Sequence, residues 1–364
     1  MLGDAFRNKT VLITGHTGFK GSWLSAWLKQ LGAAVIGIAL DPPTEPSHFV
    51  AASLADGMRD LRIDIRDQAA LEQAIASYRP DFVFHLAAQA LVRRSYENPI
   101  DTWQTNVIGT LHVLEALRKL DKNCAAVVIT SDKCYDNVEW VWGYRETDAM
   151  GGPDPYSASK GAAELAIRSY VKSYFPTATS NVRIASARAG NVIGGGDWAC
   201  DRIIPDCVRA WSTDNWVELR NPHSTRPWQH VLEPLSGYLN LAVRLFQRPD
   251  FHGEPFNFGP QAKQNHSVLE LVQEMSLHWS QVRWHDVSGA MVEPYESGLL
   301  KLNCDKALHH LQWHAVMGFE DTVRMTAEWY RSYYQRPSQI VETTNGQIAT
   351  YIAIAKLRGL AWAQ

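Results

Sequence analysis

Val11-Leu12-Ile13-Thr14-Gly15-His16-Thr17-Gly18-Phe19-Lys20-Gly21 is the stretch on which the fold turns. An apolar, β-branched run enters a turn with a glycine at every third position, and the turn opens into an amphipathic stretch. Gly15, Gly18 and Gly21 are spaced GxxGxxG, not GxGxxG. Glycines allow a tight turn and let backbone N–H groups approach an anion held at the positive end of the following helix. A glycine turn between a strand and a helix also occurs with no ligand. Position at the first strand–helix junction of an alternating series makes it a dinucleotide signature.

That alternation follows. Thr10–Thr14 reads as a buried strand, Gly21–Leu31 as a helix and Ala34–Leu40 as a second strand. Asp67–Tyr78 reads as helix, Asp81–Leu86 as strand, Asp101–Leu120 as helix and Ala125–Thr130 as strand. Strand–helix alternation implies right-handed crossovers and a parallel sheet covered on both faces. The fold class is therefore α/β, a Rossmann domain followed by a smaller mixed α/β domain. After Ala189 the segment Gly190–Pro227 turns rich in Gly, Asp, Trp and Pro, as loops bearing binding residues do. Helical Glu233–Leu245 and strand-like Pro255–Phe258 come next, and the last hundred residues are mostly helical and aromatic. We expect residues 1–189 to form the dinucleotide domain, with 228–259 returning to it, and 190–227 with 260–364 to form the second.

The composition narrows the function classes. The chain has 364 residues, 46% hydrophobic and 20% charged, with a net charge of -3. Such balance suits a globular enzyme or binding protein and lacks the dense basic face that nucleic acid requires. No apolar run reaches the length of a membrane span, and Met1–Gly15 lacks a signal peptide's apolar core. The five cysteines show no CxxC spacing and read as free thiols in a cytoplasmic protein. His310 and His314 are four apart, but no completing ligand accompanies them, so no metal site is expected. The 14 Trp read chiefly as packing, with Trp198 and Trp228 in loops that can wall a ligand pocket.

Asp41 ends the second strand, 20 residues past Gly21. A carboxylate there accepts hydrogen bonds from ribose hydroxyls and repels a 2′-phosphate, favouring NAD over NADP; a plain turn residue before Pro42-Pro43 is the alternative. Asp64, with Ile65, follows the third strand, where it can meet the adenine amino group or stay a solvated carboxylate. Tyr156 and Lys160 are four apart and share a helix face if Pro155 starts a helix. A phenol is a poor base at neutral pH, and a nearby ammonium favours its ionised form. Alone, such a pair is a common surface feature; after the glycine signature it points to proton transfer coupled to a nicotinamide.

With these motifs the chain resembles the short-chain dehydrogenase/reductase superfamily, in its extended, nucleotide-sugar-modifying branch. The resemblance runs through Thr14–Gly21, Leu86-Ala87-Ala88, Asn106, Thr130–Tyr135, Tyr156 with Lys160, Asn191, Cys304–Ala307 and Trp329-Tyr330. It implies an NAD site built from Gly15, His16, Gly18, Phe19, Gly21, Asp41, Asp64, Ile65, Leu86, Ala87, Ala88, Asn106, Tyr156 and Lys160. It also implies a homodimer or dimer of dimers, joined through helices such as Asp101–Leu120 and Ser157–Tyr174.

Thr130-Ser131-Asp132-Lys133-Cys134-Tyr135 separates reaction classes within that branch. Epimerases of this type carry small or hydroxyl residues where Asp132 and Lys133 stand; 4,6-dehydratases carry an acid–base pair. Ser131 matches the triad hydroxyl, and Asp132 matches the acid that protonates the departing C6 oxygen; a turn carboxylate is its alternative reading. Lys133 departs from the usual Glu. It serves as the C5 base only if its pKa falls; otherwise it stabilises an enolate and another group, such as Tyr135, moves the proton. With Asp41–Thr44, Gly194–Pro205 and Arg226–His230, the pattern is similar to the dehydratases that act on CDP-glucose. By that resemblance Arg226, Arg202 and Asn191 hold the diphosphate, and Tyr295 with Glu296 the nucleoside. The rival readings are a nucleotide-sugar 4-epimerase and a non-catalytic NAD-sensing interaction protein. His16 stands where relatives have Gly or Ala, and its imidazole is expected to crowd the pyrophosphate and weaken NAD retention.

Overall fold

A computed structural model describes residues 2–261, 263–280, 282–288 and 299–364. The glycine-bearing segment folds as read: strand β1 (Thr10–Thr14) enters the turn, and helix α1 (Phe19–Gln30) leaves it. Six further strands join β1 in one sheet: β2 (Ala34–Ala39), β3 (Arg59–Arg62), β4 (Phe82–His85), β5 (Cys124–Ile129), β6 (Val182–Ala189) and β7 (Pro255–Phe258). Their order is β7-β6-β5-β4-β1-β2-β3, and every pairing is parallel. Val11 and Ile13 enter one apolar cluster while Leu12 between them enters another, on the opposite face. This period of two, with both faces covered, is why the strands read as continuous apolar runs.

Five more helices matter for the site. They are α2 (Gln68–Tyr78), α3 (Gly109–Arg118), α4 (Pro155–Tyr174), α5 (Leu232–Gln247) and α6 (Phe319–Gln335). Asp154 caps α4, its carboxylate accepting from the Ser157 N–H at 2.9 Å, and Pro155 takes the first helical position, where no N–H is needed. The stretch 101–120 is not one helix. Pro99–Trp103 leads into a π turn over Gln104–Ile108 before α3 begins. Such turns cluster at functional sites, and this one carries Asn106.

The final helix, α7 (Ile340–Leu357), lies back across α1. Trp27 meets Tyr351 edge-on, ring centroids 5.7 Å apart, and Trp362 at 6.2 Å. Buried His48 takes Ser22 on α1 as one partner (2.8 Å) and Thr344 on α7 as the other (3.3 Å). Trp23, Trp27, Trp211, Trp313 and Trp329 are all fully buried, so packing accounts for much of the high Trp content. No described helix is long and apolar enough to cross a membrane.

Candidate active site

Strand order reverses between β1 and β4, and open α/β sheets place ligands in the crevice at such a point. A cavity of about 1040 Å³ lies there. One end is the glycine turn. Gly15 has φ +78°, and a Cβ on it would approach the Ala87 nitrogen to 2.7 Å. A Cβ on Gly21 would come within 2.1 Å of the Gly15 carbonyl oxygen. Only glycine fits these two places, which leaves a bare backbone concavity at the start of α1, suited to a pyrophosphate. Gly18, Phe19, Asp41, Asp64, Ile65, Leu86, Ala87 and Ala88 line the same cavity.

Three expected cofactor residues are placed differently. His16 has its ring fully buried and does not line the cavity. It lies over Gly37 on β2, where a Cβ would collide at 2.3 Å, and Nε2 meets Asp60 at 2.9 Å. The imidazole therefore points under the sheet edge and does not crowd a pyrophosphate. Asn106 is buried and absent from the cavity lining. It accepts from the Gln89 N–H (2.9 Å) and donates to the Gln89 carbonyl and the Ser159 hydroxyl, so it shapes the loop after β4 from behind. Asp64 lines the cavity, but its carboxylate is forked onto the Arg66 guanidinium, with contacts of 2.9 and 2.5 Å to one oxygen. That pairing holds the carboxyl below its usual range and uses the acceptor sites an adenine amine would need.

At the other end, Ser131, Asp132, Lys133, Tyr156 and Lys160 share the cavity wall. β5 delivers the first three and α4 the last two. Burial pushes the Tyr156 phenol up to about 12, opposed by the Ser131 hydroxyl. Burial brings the Lys160 ammonium down to about 8, against the pull of Cys134 and Glu164. Asp132 is 4% exposed, and burial raises its carboxyl despite Lys133 and the Ser131 hydroxyl, which donates to it at 2.9 Å. A raised carboxyl is what a proton donor requires. The Tyr135 hydroxyl is already engaged: it donates to Asn257 (2.8 Å) and accepts from Arg188 (2.7 Å), and burial drives its pKa far up.

The sequence profile of the GDP-mannose 4,6 dehydratase family matches residues 12–326. The chain belongs to that family. It is 47% identical over 351 residues to the CDP-glucose 4,6-dehydratase of Salmonella typhimurium, covering 96% of this chain and 97% of that one. Among solved structures, the epimerase Mth375 of Methanothermobacter thermautotrophicus superposes with a TM-score of 0.76 at 22% identity, over 93% of this chain and 96% of that one. The UDP-glucose 4-epimerase of Brucella ovis, solved with NAD, gives 0.74 at 22% identity, over 89% of this chain and 98% of that one. These two likenesses confirm the fold.

Asn191, Arg202, Arg226, Trp198 and Trp228 also line this cavity. Arg202 is salt-bridged to Asp197 at 2.6 Å and lies near enough to Tyr156 to feel its charge, closer to the chemistry than a diphosphate contact alone implies. Tyr295 and Glu296 lie outside the described residues. Lys20 is a site residue that the sequence did not single out. It faces the same cavity, and burial with neighbouring Arg202 lowers its ammonium to about 8, against Asp132. Its place in the first turn of α1, directly after the glycine turn, was the available signal.

Proposed function

We propose that this protein is an NAD-dependent hydro-lyase that converts CDP-glucose to CDP-4-keto-6-deoxyglucose. The buried, raised Asp132 carboxyl beside Tyr156 and Lys160 carries the reading, because an epimerase has no use for a proton donor at C6. The identity to the Salmonella enzyme supports the cytidine and glucose assignments. The bare glycine turn, Asp41 and the Ala87–Ala88 loop suit NAD, which when bound supplies the hydride acceptor for C4 and later the donor for C6.

The chain's own groups do the rest. Lys160 favours the ionised Tyr156, which takes the C4 hydroxyl proton, with Ser131 holding that hydroxyl. The C4 ketone acidifies C5–H; Lys133, acting in its uncharged form, accepts that proton, Asp132 donates its proton to the C6 hydroxyl, which leaves as water, and Lys133 returns the proton to C5 as hydride reaches C6. Arg226 and Asn191 grip the diphosphate. Ile100, Trp103 and Ile108 before α3, with Leu165 and Tyr174 on α4, are exposed apolar residues suited to a dimer contact along these helices.

Incubation with CDP-, UDP-, dTDP- and GDP-glucose, followed by the ultraviolet signal of a 4-keto sugar in alkali, tests this. The signal is expected with CDP-glucose. A C4 epimer without ketone restores the epimerase reading, and no product from any sugar restores a non-catalytic NAD-sensing protein.

A further inference from the structure

Two arginines that line the cavity, from segments far apart in sequence, converge on one oxygen atom. Arg93 lies on the short helix Val92–Glu97 that follows β4, and Arg220 follows the strand Val217–Leu219 in the substrate-side region. Arg93 Nη1 is 3.3 Å from Asp201 Oδ1, and Arg220 Nη2 is 3.4 Å from the same oxygen. All three residues line the cavity. Asp201 belongs to the loop between β6 and the helix Ile203–Ser212, and its backbone is left-handed at φ +61°, a conformation Asp tolerates better than most residues.

This arrangement has the features of a stand-in anion. The three side chains are 40%, 43% and 30% exposed, and ion pairs of such exposure at such distances contribute little to stability. A diphosphate carries more charge and more acceptor oxygens than one carboxylate, and guanidinium groups bind phosphate in forked, charge-assisted pairs. Exchange of the carboxylate for a phosphate oxygen at the convergence point therefore runs downhill. Arg226, 9% exposed, lines the same cavity and adds a third guanidinium to it.

We propose that Asp201 latches Arg93 to Arg220 at the cavity wall, and that the substrate's diphosphate displaces it and takes both arginines. The inference rests on the nucleotide-sugar reading above. It makes Arg93 and Arg220 binding residues and Asp201 an internal competitor whose release accompanies substrate entry. The pyrophosphate of the dinucleotide is the other diphosphate in the cavity, but it belongs at the glycine turn, so the latch acts on the nucleotide sugar alone.

Calorimetric titration of the full-length, NAD-loaded protein with CDP, and separately with cytidine, tests this. Asp201→Asn is expected to bind CDP several-fold more tightly, since an internal competitor is gone. Arg93→Met and Arg220→Met are each expected to weaken CDP about tenfold, the worth of one charge-assisted hydrogen bond, with cytidine and NAD affinities unmoved. Unchanged or weaker CDP binding in Asp201→Asn overturns the latch, as does unchanged CDP binding in both arginine variants. An equal loss of NAD affinity would instead assign the arginines to the dinucleotide and also overturn it. If the unaltered protein binds none of CDP, UDP, dTDP and GDP, the nucleotide-sugar reading fails and the latch with it; CDP binding with unmoved variants removes the latch alone.

Discussion

Replacement of Glu164 by Gln probes the support beneath α4, the helix that carries Tyr156 and Lys160. Glu164 lies one turn beyond Lys160 on α4, and its carboxylate receives the Arg188 guanidinium at 3.0 Å on one oxygen and 2.9 Å on the other. Thr130 donates to it at 2.5 Å and Ser186 at 2.8 Å, and the two charged side chains are only 3% and 1% exposed. Burial alone would raise the carboxyl, but Arg188 and these hydrogen bonds prevail and hold it below its ordinary value. The pair's stabilisation is therefore complete at neutral pH and is lost as pH falls through that depressed value. Glu164→Gln leaves a buried guanidinium without a counter-charge, at a cost of about 3–5 kcal/mol. At roughly 2.1 cal/mol/K per residue of melting entropy, a chain of 364 residues should lose about 4–7 °C in Tm by calorimetry at pH 7. Because Glu164 also props up the Lys160 ammonium, the alkaline limb of activity should move to lower pH. A Glu164→Leu/Arg188→Met double variant should recover most of the Tm but not the pH profile. A Gln variant melting within about 1 °C of the parent, or a double variant less stable than the single, refutes the reasoning.

Other outcomes are as specific. Asp132→Asn should retain C4 oxidation, visible as accumulating absorbance of reduced cofactor, while slowing water loss and formation of the 4-keto-6-deoxy product about 10²–10⁴-fold, the usual worth of a general acid. Asp41→Ala removes the carboxylate 3.5 Å from Arg62 Nε and with it the repulsion of a 2′-phosphate, while Asp60 still holds the guanidinium at 2.8 Å; the affinity for NADP relative to NAD should rise about tenfold by direct titration. Glu233 is buried, accepts from the Val316 and Met317 N–H groups, and is raised from 4.5 to about 7 by burial. A raised carboxyl favours the folded state fully below pH 4.5 and loses that advantage as pH rises through 7. Urea unfolding of the parent relative to Glu233→Gln should therefore diverge across that window, by about 3 kcal/mol at its upper end.

The parallel sheet and the placing of Tyr156 beside Lys160 on one helix were legible because both depend on local pattern: apolar runs, glycine spacing, and a proline-started helix with the two residues one turn apart. Side-chain direction was not. His16 occupies the expected turn, yet its ring goes to Gly37 and Asp60, on two neighbouring strands remote in sequence. The helix expected over 101–120 has unbroken apolar periodicity; its π turn coincides with Asn106 reaching both Gln89 and Ser159, which no local pattern records. Lys20 escaped notice because the groups that make its setting, Asp132, Lys160 and Arg202, converge only in three dimensions. The Asp64–Arg66 fork, by contrast, joins residues two apart and could have been read from the sequence.

The packing of α7 across α1 has a consequence for synthesis on the ribosome. His48 and Thr344 are 296 residues apart, and Trp27 waits for Tyr351 and Trp362 from the same late segment. At about 5–20 residues per second, the glycine-turn helix emerges roughly 15–60 s before the surface that covers its outer tryptophan exists. The nascent first βα unit must therefore keep a large aromatic exposed through most of translation, and cofactor capture should follow chain completion.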